Sequence, residues 1–130
     1  MYSATTRAIV VTVTPQYLPD QSDPANSQFV WAYQVRIENK GDIAVQLRSR
    51  HWKITDGLGR QQEVKGPGVI GKTPLLRPGE MFEYTSGTPL STPSGFMGGT
   101  YQMVSESGEA FDIEIPTFSL DTPSSQRRLN

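Results

Sequence analysis

Residues 29–39 place the tightest constraint on the fold. Phe29, Trp31, Tyr33, Val35 and Ile37 occupy alternate positions, with Val30, Ala32, Gln34, Arg36 and Glu38 between them. A helix would scatter those large side chains around its circumference, whereas an extended chain gathers them on one face. The segment is a strand with one face against a core, and it needs partners of the same kind.

The rest of the chain supplies them. Residues 8–14 are nearly all β-branched, with Ile9, Val11 and Val13 on one face, and predict a strand ended by Pro15. Residues 44–55 predict a long strand in which Val45 and Leu47 share one parity and Trp52 and Ile54 the other. An extra residue within 48–51, a β-bulge, reconciles the two. Asp56-Gly57-Leu58-Gly59 predicts a hairpin loop that returns along residues 60–65. Phe82 and Tyr84 stand in phase in residues 80–86. Residues 100–104 and 109–115 form a last hairpin, with Tyr101 and Met103 opposite Phe111, Ile113 and Ile115. Pro116 breaks that strand, and Phe118 and Leu120 continue it.

The stretches between are polar or rich in Gly and Pro. Residues 16–28, 66–78 and 87–98 read as loops, residues 1–6 as a polar N-terminus and residues 122–130 as a frayed tail. Helical periodicity and internal repeats are missing. The expectation is one all-β domain over residues 1–130, with its core in 8–120. Its fold class is an immunoglobulin-like or fibronectin type III-like sandwich of about seven antiparallel strands. A small barrel is the alternative.

Composition narrows the function. Twelve Lys and Arg against thirteen Asp and Glu give a net charge of −1, and the cations are scattered, so no field is present to draw in nucleic acid. The absence of Cys excludes disulfides, thiolate metal sites and thiol nucleophiles. The apolar run at residues 9–13 is too short for a signal sequence or a membrane span. These features suit a cytoplasmic domain without a cofactor. His51 is the single histidine, sits beside Trp52 in a strand and lacks a G-x-S-x-G partner motif, so it reads as structural. The carboxylates follow no Ca²⁺-loop spacing, and no metal site or catalytic set can be assembled.

One motif stands out. Residues 66–73 read G-P-G-V-I-G-K-T, which satisfies both G-x-G-x-x-G and G-x-x-x-x-G-K-[ST]. Such loops wrap phosphates in backbone N–H groups and present a following helix N-terminus. Pro74 and Pro78 disfavour that helix here. What survives is a candidate anion-binding loop of Gly66, Gly68, Gly71, Lys72 and Arg77, set against glycines that merely permit positive φ. A candidate interaction patch comprises Arg48, Arg50 and Lys53 near the bulge, set against a solvated strand face, with Phe96 and Met97 in the 87–98 loop, set against an apolar plug at one end of the sandwich. Trp31, Tyr33, Trp52, Tyr84 and Tyr101 are expected to fill the core. Two functions compete: recognition of a protein partner, and sensing of a phosphate-containing small molecule.

Several segments also carry a resemblance. They include Gln21-Ser22-Asp23-Pro24, Arg50-His51-Trp52-Lys53-Ile54-Thr55-Asp56, Val64-Lys65-Gly66-Pro67-Gly68-Val69-Ile70-Gly71, Leu76-Arg77-Pro78-Gly79-Glu80 and Met97-Gly98-Gly99-Thr100-Tyr101. In order and spacing, from about Ile9 to Leu120, the chain resembles the ApaG family. The resemblance implies a fibronectin-type sandwich and a bacterial protein associated genetically with magnesium and cobalt tolerance. It also implies neighbours that act on dinucleoside polyphosphates and ribosomal RNA. Similar eukaryotic domains, appended to F-box and polymerase-associated proteins, imply protein recognition, and no reaction is implied. A pyrophosphate-type motif discussed for the family falls on Gly66, Gly68 and Gly71. Family members usually have Gln-Pro where this chain has Thr73-Pro74 and do not require Lys72, so the P-loop completion is local to this chain.

Overall fold

A computed structural model describes residues 1–123. Nine strands in that span build two antiparallel sheets: β1 (Tyr2–Thr6), β2 (Ile9–Tyr17), β3 (Phe29–Asn39), β4 (Val45–Asp56), β5 (Gln61–Pro67), β6 (Leu75–Leu76), β7 (Met81–Leu90), β8 (Ser94–Ser105) and β9 (Ala110–Asp121). One sheet runs β1-β2-β3-β7 and the other β5-β4-β8-β9, with β6 paired to β4. The fold is the expected β-sandwich. Within residues 1–121 helix is confined to two single 3₁₀ turns, Pro19–Gln21 and Pro24–Asn26, and no helix among the described residues is long and apolar enough to cross a membrane.

The alternation in β3 does what its period requires. Trp31, Tyr33, Val35 and Ile37 are buried. Trp52 on the facing sheet is the hub of the core. Its ring meets those of Tyr33 at 5.3 Å, Phe118 at 6.1 Å and Tyr101 at 6.3 Å, all edge to face. Each such pair adds about 0.5–1.5 kcal/mol beyond the burial itself.

The bulge falls where the parity switch demands. The β4–β8 register shifts between Leu47 and Ser49, leaving Arg48 as the extra residue. From there Arg50, Trp52 and Ile54 share the inner parity while Ser49, His51 and Lys53 face outward.

The strand count exceeds the expected seven for identifiable reasons. Residues 1–6 are not a loose terminus, because β1 pairs with β2 from Tyr2↔Val13 to Thr6↔Ile9 across a turn at Arg7 and Ala8. Both turn residues hold positive φ without glycine, so no turn signal marks the place. Nor does Pro15 end β2. The β1 ladder stops at Val13, so Pro15 lies where one side of β2 has no neighbour. Pro116 is tolerated in β9 because that strand is at a sheet edge and the β8–β9 register shifts opposite it, between Met97 and Gly99.

Residues 87–98 are not a long loop: they are the end of β7 and the start of β8, which belong to opposite sheets and are joined by a short crossing at residues 91–93. The glycines there mark close approach rather than flexibility. A Cβ on Gly95 would lie 2.4 Å from the Thr55 carbonyl oxygen, and one on Gly99 1.9 Å from that of His51. Residues 66–78 also contain structure: the end of β5, a bridge between Val69 and Lys72, and β6. Thr122, expected in the tail, is buried, while the rest of that tail lies outside the described residues.

The two open sides of the sandwich differ. On one, β1 and β2 lie against β9, fastened by Arg7–Glu109 at 3.0 Å, Arg7 over the Phe111 ring at 4.5 Å, and the Glu114 N–H donating to Thr6 Oγ1 at 3.1 Å. On the other, the terminal strands β5 and β7 are not paired to each other.

Candidate functional site

The glycine-rich segment closes on itself. The Val69 N–H donates to the Lys72 carbonyl at 2.8 Å, and the Lys72 N–H returns to the Val69 carbonyl at 2.9 Å. Ile70 and Gly71 between them hold φ of 44° and 76°, the two positive values a type I′ turn needs. The Gly68 N–H donates to the Arg48 carbonyl at 2.8 Å. Gly68 is required twice over: its φ is +60°, and a Cβ would sit 2.4 Å from the Lys72 oxygen.

Three of the amides that a phosphate nest would present are thus spent inside the chain. Residues 72–80 contain no helix. Of the candidate cations, Lys72 is exposed, and Arg77 stands 3.9 Å from Glu80, whose carboxylate also takes the Arg77 N–H at 2.8 Å. The loop is a hairpin, and Gly66, Gly68, Gly71, Lys72 and Arg77 do not converge on one anion site.

The proposed interaction patch also divides. Arg48 and Lys53 are exposed, but Arg50 shares the inner parity with Trp52. Phe96 is exposed on the outer face of β8, whereas Met97 is buried against Phe118 in the register of β9. Successive residues of a strand point to opposite faces, so residence in a strand rather than a loop separates this pair. His51 lies outward, with Nε2 3.4 Å from Glu63 Oε2.

Arg50 is the side chain that organises this end of the sandwich. Its Nη1 donates to the carbonyls of Pro67 at 3.0 Å and Gly68 at 2.9 Å. Its guanidinium lies where a Cβ on Gly66 would come within 3.1 Å, so Gly66 makes room for it. Among the described residues no carboxylate comes within ion-pair distance of it.

Around it lie three tyrosines. Tyr84 and Tyr101 share a hydrogen bond of 2.5 Å between their hydroxyls, and Tyr33 stands opposite Ser86 in the β3–β7 register. Burial pushes all three hydroxyls above the ordinary tyrosine range, while the Arg50 charge pulls each of them the other way. Beside this group a cleft of about 270 Å³ opens between β5 and β7, with Trp52, Ile54 and Val64 as apolar walls and Arg50, Ser86 and Gln62 as polar lining.

The alternation that places the tyrosines in the core carries no sign of what their hydroxyls meet, and nothing local marks Ser86 or Gln62. The available signal was the bulge, since a parity switch before Trp52 puts Arg50 inside.

The ApaG-domain family model matches residues 19–105, which hold β3 through β8, the hairpin and all of these side chains. The chain belongs to the ApaG family. Protein ApaG of Paramagnetospirillum magneticum is 66% identical over the whole of both chains, and Protein ApaG of Rhodospirillum centenum is 65% identical over the same span. Among solved structures, a crystal structure of an ApaA protein from Bordetella pertussis has a TM-score of 0.87 at 56% identity. That match covers 88% of this chain and 94% of the other. The family assignment therefore rests on sequence and on fold together. None of these names states a reaction.

Proposed function

We propose that this ApaG-family domain is a non-catalytic, cytoplasmic recognition module that takes an extended segment of a partner protein along the free edge of β7. The observation that carries this reading is the contrast among the four sheet edges. β1 is five residues long, and β9 is interrupted at Pro116 and lies against β1 and β2. β5 has Glu63, Lys65, Gly66 and Pro67, the devices that discourage strand pairing. β7 is ten residues long and fully paired with β3 on one side; its Gly87 and Pro89 fall at the far end, and the stretch from Met81 to Ser86 has a single charge, Glu83. That six-residue stretch, free of Gly and Pro, is a template for strand addition.

In this reading the tolerance to magnesium and cobalt implied by family resemblance acts through the bound partner. Phosphate sensing ranks below it, because the loop amides that would hold the ligand are bonded within the chain.

Photo-crosslinking in cells tests the proposal. A photoreactive residue at Thr85, exposed on β7, should give a discrete partner adduct, and one at Thr14, exposed on β2, should not. Equal adducts at both positions, or none at Thr85, would sink it.

A further inference from the structure

We infer that the cleft between β5 and β7 is a carboxylate subsite, filled by an acidic side chain of the extended segment that adds to β7. This rests on the strand-addition reading and specifies what that strand must carry. The argument starts from Arg50. A half-buried guanidinium facing an open cleft, without an acidic partner among the described residues, is an incomplete ion pair. Its Nη1 is committed to Pro67 and Gly68, which fixes the plane of the group without neutralising it. Tyr33 and Ser86, register partners across β3 and β7, and Gln62 across the opening provide further polar atoms.

The chemistry of the cleft selects the ligand. One cation with neutral hydroxyls suits a monoanion, and a planar guanidinium matches a carboxylate in geometry. A phosphate dianion would meet only half the charge it needs. The apolar walls of Trp52, Ile54 and Val64 suit the methylenes of a Glu side chain.

Topology selects the carrier. A strand added to β7 lies about 4.8 Å from it and repeats its alternation. Tyr84, Ser86 and Thr88 are the inner residues of β7. An added strand would turn every second side chain toward the same inter-sheet space, with Gln62 and Val64 of β5 facing it.

The test is a ¹⁵N NMR titration of the full chain with two pools of blocked nonapeptides, randomised around a central Glu or a central Gln, and separately with propionate. The Glu pool should shift the amides of residues 82–88 together with the Arg50 side-chain Nε signal. The Gln pool should need about tenfold higher concentration, the loss of one charge-assisted hydrogen bond. Gln62 pairs with Ile54 in the β4–β5 ladder and is exposed, so Gln62→Glu should raise the Glu-pool concentration needed and Gln62→Lys lower it. Arg50→Lys should weaken the Glu pool while leaving the Gln pool unchanged.

Equal action of the two pools on β7, with Arg50 silent, would overturn the carboxylate subsite and leave strand addition standing. Propionate shifting Arg50 while neither pool moves β7 would overturn the peptide as occupant in favour of a small free acid. Silence of both pools at millimolar concentration would remove the β7 reading as well.

Discussion

Gly68 and Gly71 stand three residues apart in one loop and both hold positive φ, yet their replacement by Ala should have very different costs. At Gly71, with φ of +76° and open space around the missing Cβ, the cost is conformational alone. Left-handed backbone costs an L residue about 1–2 kcal/mol, and the stiffer unfolded chain returns about 0.4–1 kcal/mol, so Gly71→Ala should destabilise by about 1 kcal/mol. At Gly68 the same strain is joined by a contact of 2.4 Å to the Lys72 carbonyl oxygen. An ordinary contact needs about 1 Å more, and that oxygen holds the N–H of Val69, which is buried. Moving it weakens a paired set of hydrogen bonds worth about 1 kcal/mol each, which brings Gly68→Ala to about 3 kcal/mol. With an m-value of about 2 kcal/mol per molar urea, the two variants should differ by about 1 M in midpoint. The buried Trp31 and Trp52 provide the fluorescence signal. Gly71→Asn, which tolerates this backbone, should stay within about 0.5 kcal/mol of the parent. If Gly68→Ala and Gly71→Ala proved equal in cost, the loop would not be the closed hairpin described, and its amides would be free for an anion.

Gly99→Ala puts a Cβ 1.9 Å from the His51 carbonyl and must part β4 from β8, so it should cost about 3 kcal/mol or more and lower the melting temperature by several degrees. Tyr101→Phe leaves the buried Tyr84 hydroxyl without its partner and should cost about 1–2 kcal/mol by urea titration. Alkaline pH should act on the same pair. Their hydroxyls ionise later in the folded chain than in the unfolded one, so stability is whole below about pH 10. Above it the unfolded chain ionises first, and the urea midpoint should fall as pH rises toward the folded values. A midpoint that stays flat from pH 9 to 11 would contradict this. Tyr101→Phe should flatten the decline.

What the chain reveals by itself follows from how local each signal is. The strand at residues 29–39, the bulge before Trp52 and the last hairpin are written in alternation, which needs no knowledge of partners. Gly95, Gly98 and Gly99 could not be read that way. A glycine that permits a turn and one that admits a neighbouring backbone look alike until the neighbour is in place. The same holds for Pro15 and Pro116, since proline forbids a strand only where its N–H would be needed, and that depends on which edge is free. Met97 escapes a local reading because the Gly and Pro around it resemble a loop, whereas β8 buries it. Proximity in sequence groups Arg50 with Arg48 and Lys53, but the bulge turns it the other way.

The inward Arg50 also explains why the glycine motif exists without a phosphate. The inner parity of β4 otherwise holds Val45, Leu47, Trp52 and Ile54, and an apolar residue at position 50 would continue that core without the cost of half-burying a cation. Given Arg50, its donors need acceptors that point inward at the end of β5. The carbonyls of Pro67 and Gly68 provide them, because the chain doubles back there through Gly68 and Gly71, and because Gly66 has no Cβ to obstruct the guanidinium. The three glycines and the arginine are one device, in which the loop supplies oxygens to a cation rather than amides to an anion. The device leaves that cation facing the side of the sandwich that β5 and β7 do not close, while the opposite side is fastened by Arg7 and Glu109. A charge held in place at the unsealed side, without a counter-ion among the described residues, is costly unless something of opposite sign comes to it, and that asymmetry is the physical ground for looking for a ligand there.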